Sequence, residues 1–147
     1  MGSRRRAREH ALQALYHSDM SEQEVDASLH ALWNGLADDT DGSFGGKAAD
    51  EEEVEFAATV AKGVATKRDE IDLLLERCAT NWRVERMSLV DRNILRMGAF
   101  ELLHLHDVPA NVAINEAVEL AKRFGTADSR GFVNGILDRV ARDAGRI

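Results

Sequence analysis

The chain has one cysteine, one proline and one tyrosine among 147 residues, and only 5% of its residues are aromatic. A lone Cys78 excludes an internal disulfide framework and a cysteine-ligated zinc cluster. It also fits a reducing compartment. No apolar run nears the ~18–20 residues that cross a bilayer. The basic start, Arg4-Arg5-Arg6, is followed by no long apolar segment. It therefore does not read as a secretory signal, and the expected location is cytoplasmic. Catalytic patterns are missing too. The five histidines form no His-x-x-x-His pair. No phosphate loop or Gly-x-Gly-x-x-Gly is present. Asp91 and Glu101 are ten residues apart, about 15 Å along a helix, too far for one acid–base site. No catalytic residue, metal or cofactor is expected.

What is present is an uneven charge. The net charge is −7. Residues 19–55 hold twelve acids and one base, Lys47, so that segment carries −11 and the remainder +4. Within the remainder, Arg4, Arg5, Arg6 and Arg8 fall in five consecutive positions. That density is an electrostatic footprint for phosphate, although a solvated tail has the same composition.

Apolar periodicity predicts seven helices and no strand. The first, about 6–19, carries Ala11, Leu12 and Leu15 on one face. Ser21-Glu22-Gln23-Glu24 reads as a capping box opening a second helix with the stripe Val25, Leu29, Leu32, Trp33, Leu36. An acidic, glycine-bearing loop is expected over 38–50. A third helix carries Val54, Ala57, Ala58, Ala61, Val64 and Ala65, small enough for close packing, and its acidic first turn suits the helix dipole. A fourth carries Ile71, Leu74, Leu75 and Cys78, the last a buried structural thiol. Trp82 is expected as a core anchor. The fifth, about 88–104, is apolar nearly all round and should be central.

Pro109 marks the break before a sixth helix. Its stripe is Ala113, Ala117, Leu120, Ala121 and Phe124, with Gly125 as C-cap. The seventh is expected to be capped by Asp128 or Ser129 and to bury Phe132, Val133, Ile136, Leu137 and Val140. Gly135 inside it suggests a close backbone neighbour. Asn115 and Asn134 read as buried amides.

Several stretches recur together in a known family. Arg4-Arg5-Arg6-Ala7-Arg8-Glu9, followed by Ala11-Leu12-Gln13-Ala14-Leu15-Tyr16, resembles the start of the NusB family of bacterial transcription antitermination factors. The stretch from Trp82 to Arg96 resembles the entry to that family's central helix. Its most specific stretches are matched from Val108 to Lys122 and from Phe132 to Asp138. The resemblance covers nearly the whole chain, in order. It implies an all-α, seven-helix fold of two small helical bundles packed side by side. Residues 1–147 then form one RNA-binding domain, with an N-terminal subdomain of about 4–80 and a C-terminal one of about 81–143.

The resemblance also implies a function without catalysis. It implies binding of boxA RNA together with NusE, a small-subunit ribosomal protein, to suppress premature termination, notably of ribosomal RNA transcription. Other antitermination factors and RNA polymerase are engaged indirectly, and no membrane is involved. By resemblance Arg4, Arg5, Arg6, Arg8, Lys122, Ser129 and Phe132 face RNA, while Tyr16, Asp91 and Glu85 face NusE. Phe132 stacks on a base or packs in the core; its periodicity allows both. Gly131 stands where the family often has a basic residue. Two alternatives keep the fold. One is a module related to the N-terminal domain of RNA cytosine-5 methyltransferases. The other is a self-associating homodimer that sequesters the RNA surface.

Overall fold

A computed structural model describes residues 2–37, 50–79 and 87–147. Among them are seven helices and no strand: α1 (Gly2–Ser21), α2 (Val25–Ala37), α3 (Glu51–Thr66), α4 (Arg68–Cys78), α5 (Leu89–His104), α6 (Ala110–Phe124) and α7 (Ser129–Asp143). Trp82, Glu85 and the expected 38–50 loop, apart from Asp50, lie outside the described residues. The chain divides into two compact units, 1–62 and 63–147. The division falls within α3, earlier than the boundary expected near residue 80. The physical reason is that α4 packs against α5 and α7, so it belongs to the second unit.

In the first unit α1 packs against α2. Ala7, Ala11, Leu12, Ala14 and Leu15 are buried, matching the stripe read from the sequence. The expected capping box is not formed. Ser21 is the last residue of α1, and its Oγ donates to the His17 carbonyl at 2.6 Å. Glu22 then takes φ 56°, the left-handed conformation that ends a helix. Ser21 thus bonds backwards within its own helix and is unavailable to α2. At α3, Asp50 Oδ1 accepts from the Glu53 N–H at 2.9 Å, a regular N-cap.

In the second unit α5 is central, packed against α4, α6 and α7. Every residue from Asn93 to Leu102 is buried. Ser88 caps the helix, its Oγ accepting from the Asp91 N–H at 3.1 Å. Gly98 allows α7 to approach closely, since a methyl group there would lie 2.5 Å from Leu137 Cδ1. Cys78 is buried. Burial, then the Asp143 carboxylate, pushes its thiol up from the ordinary value, which suits an inert structural group. After α7, Arg146 donates to the carbonyls of Leu102 and Val108, both at 2.6 Å. Those bonds tie the chain end to the α5–α6 turn.

Three expectations are corrected here. Phe124 is 40% exposed rather than part of the buried stripe of α6. It is the last helical residue, where the packed face has run out. Asn115 and Asn134 are both exposed, one on α6 and one on α7. Gly135 is exposed, and beyond its chain neighbours and its own helix backbone nothing lies within 4 Å of the Cβ it lacks. No backbone neighbour therefore needs it. Gly135→Ala is expected to stabilise the protein by about 0.5–1 kcal/mol, because alanine is the better helix former. Equilibrium urea unfolding checks this, and a loss of stability would mean the site is crowded.

Candidate nucleic-acid interface

The arginine row lies on α1, so helical geometry spreads it around the axis rather than along one edge. Arg4 and Arg5 are exposed and Arg6 is half-buried. Arg8 is only 3% exposed. Of the four arginines expected to face RNA, Arg8 is thus the buried one. It sits three and four residues before Ala11 and Leu12, so the apolar stripe carries it inward.

Its burial is compensated. The Arg8 guanidinium lies 5.1 Å from the centroid of the Phe56 ring, and that of Arg4 lies 4.5 Å from the same ring. Arg6 Nη1 donates to Glu53 Oε1 at 3.2 Å. Glu53 is itself 3% exposed. The acidic start of α3 is therefore more than a solvated face: one of its carboxylates is a buried partner of the arginine helix. His10 is buried beside them, with Nε2 3.7 Å from Glu53 Oε2 and its ring edge-on to Trp33. Burial holds the imidazole below its ordinary pKa, outweighing the Gln13 hydrogen bond and the Glu53 carboxylate that raise it. It is thus neutral at pH 7 and adds no charge to the basic row.

In the second unit a cleft of about 250 Å³ is lined by Met87, Ser88, Asp91, Thr126, Asp128, Ser129 and Phe132. Phe132 is half-buried, between the two roles its periodicity allowed, with its ring on the cleft wall. Ser129 is buried. Its Oγ accepts from the Thr126 N–H at 2.9 Å, so its first task is to hold the α6–α7 turn. Gly125 belongs to the same turn: a Cβ there would meet Ser129 Cβ at 2.6 Å and the Ala121 carbonyl oxygen at 2.8 Å. Asp128 takes the N-cap position of α7 but makes no side-chain cap bond. The Ser129 Oγ bond to the Thr126 N–H holds the preceding turn and is not a cap of α7.

Asp91 lines this cleft beside Ser129 and Phe132, so a residue expected to face the protein partner shares a wall with two expected to face RNA. Lys122 is exposed on the last turn of α6. Next to it the Arg123 guanidinium lies 5.2 Å from the Phe124 ring centroid. That exposed aromatic was missed because the sequence pattern placed it in the core. Tyr16 is 41% exposed on α1. Glu85 lies outside the described residues.

Among the described residues no cluster of three or more His, Cys, Asp or Glu could hold a metal ion. No described helix is long and apolar enough to cross a membrane. Exposed cations on one helix and an aromatic-walled cleft between others define a small all-helical binding protein. The sequence model of the NusB family matches residues 5–142, and the chain belongs to that family. It is 48% identical over 96% of both chains to the transcription antitermination protein NusB of Myxococcus xanthus. It is 48% identical to that of Symbiobacterium thermophilum, over 95% of this chain and 90% of the other. Among solved structures it resembles T. maritima NusB at 36% identity and a TM-score of 0.80, covering 95% of this chain and 91% of that one. Antitermination factor NusB, solved with NusE and double-stranded RNA, shares the fold at 22% identity and a TM-score of 0.83, covering 97% and 98%.

Proposed function

We propose that the chain is a transcription antitermination factor that binds boxA RNA jointly with NusE and catalyses nothing. The observation that carries this reading is the surface on α1, where Arg4 and Arg5 are exposed, in a chain of the NusB family. Phosphates are neutralised by Arg4, Arg5 and Lys122, with Arg6 contributing from its pair with Glu53. Unpaired bases are read at the cleft, where Phe132 offers a ring for stacking, and Asp91 on the same wall faces NusE. Tyr16 contributes an exposed aromatic anchor for NusE, an amphipathic residue type favoured at protein interfaces. Acting on a nascent transcript places the protein in the cytoplasm.

Fluorescence polarisation with labelled boxA RNA, with and without NusE, tests this. With three exposed cations on a single strand, log K is expected to fall with log salt at a slope of about −2, from about −0.7 per phosphate contact. Four fully engaged arginines would give about −3. A flat titration overturns the reading. The same assay reads Asp128→Asn. Asp128 is exposed on the cleft and makes no side-chain cap bond, so removing its charge lessens the repulsion of phosphate. The substitution is expected to tighten RNA binding by about two- to five-fold at low salt, with the gain shrinking as salt screens it. The melting temperature should fall only slightly, since asparagine loses the carboxylate's interaction with the α7 dipole. Unchanged affinity at low salt would place the RNA away from this rim.

A further inference from the structure

Glu53 and Phe56 are three residues apart on α3 and so share one face. Both engage α1: Glu53 through Arg6, Phe56 through Arg4 and Arg8. Arg4 and Arg8 are themselves four apart and share a face of α1. We propose that Phe56 is a positioning residue for RNA binding, holding the Arg4 guanidinium in a fixed place from which it meets phosphate. This rests on the RNA reading above and adds to it a residue outside the basic row.

The physical case is one of ordering. A guanidinium within about 6 Å of a ring centroid is attracted by the negative face of the ring. Arg4 lies within that range at 4.5 Å and remains exposed. An arginine on an open helix surface samples many rotamers, and a phosphate contact must freeze them. Against the ring, part of that ordering is complete before RNA arrives. Arg8 is buried on the same ring at 5.1 Å. It fixes the ring between α1 and α3. Glu53 completes the arrangement by pairing with Arg6 one turn away along α3, so one ridge engages three of the four arginines.

The test is boxA RNA binding in the presence of NusE, read by fluorescence polarisation. Phe56→Leu keeps an apolar side chain and removes the ring. It is expected to weaken binding by about three- to five-fold, and to weaken it no further in an Arg4→Ala background. Pentafluorophenylalanine at position 56 keeps the shape and reverses the field of the ring, so it should reproduce the loss without disturbing the fold. Phe56→Tyr keeps the ring face and should bind as the wild type does. Wild-type affinity in both the leucine and the fluorinated variants overturns the assignment. An undiminished loss in the Arg4→Ala background also overturns it, since Phe56 would then act through packing alone. Failure of the wild-type chain to bind would overturn the RNA reading itself, and the role of Phe56 with it.

Discussion

Arg96→Ala is expected to cost about 3–5 kcal/mol, the usual cost of breaking a buried ion pair by removing one partner. Arg96 is 3% exposed on the central helix. Its Nε donates to Asp72 Oδ1 at 2.8 Å and its Nη2 to Asp72 Oδ2 at 2.9 Å, a two-pronged bond that joins α5 to α4. Nη1 donates to Asn93 Oδ1 at 3.3 Å. Asn93 in turn donates to the Leu89 carbonyl at 3.0 Å. Alanine removes the whole fork and leaves the Asp72 carboxylate, 24% exposed, without its partner. Lysine should not rescue the loss, because a point charge cannot reproduce the planar fork. The paired replacement Arg96→Met with Asp72→Leu should recover most of it, since the desolvation cost of both charges goes with them. Equilibrium urea unfolding distinguishes these. A loss below about 1 kcal/mol for Arg96→Ala would show that the pair behaves as a surface one.

Leu102→Ala is expected to cost about 2–5 kcal/mol, from lost burial plus the cavity left behind. Leu102 is fully buried near the end of α5. Its carbonyl accepts from Arg146 and its neighbours pack the centre of the second unit. The backbone bond survives the substitution, so the measured loss reports the side chain alone. Urea unfolding giving a change under about 1 kcal/mol would mean that neighbouring side chains collapse into the gap.

Much of the fold was legible in the sequence because it depends on local rules. The period of Ala11, Leu12 and Leu15, the all-round apolar run of α5, the break at Pro109 and the cap at Gly125 each follow from neighbouring residues only. The misreadings came where one side chain has two possible partners. Ser21 has the composition of an N-cap for α2 but bonds back to His17 in α1. Asp128 has the chemistry of a cap, yet it makes no side-chain cap bond, and Ser129 bonds Thr126 in the preceding turn. Phe124 continues the spacing of its stripe but lies past the packed part of it.

The candidate interface shows the same division. Charge density alone marked the arginines, and it cannot separate Arg4 from Arg8, which meet the same Phe56 ring but differ in how far each is buried. Asp91 was expected on the protein-facing side, and only the folded chain shows that the turn between α6 and α7 brings Ser129 and Phe132 to the same cleft.

The sequence by itself determined the helical class, the central helix, the structural thiol and the family, because periodicity, capping chemistry and ordered motifs are written along the chain. The tertiary structure alone decided which charges face solvent. Glu53 and Phe56 lie some fifty residues from the arginines they hold. Only folding brings them within the few ångströms at which a carboxylate or a ring can compete with water for a guanidinium.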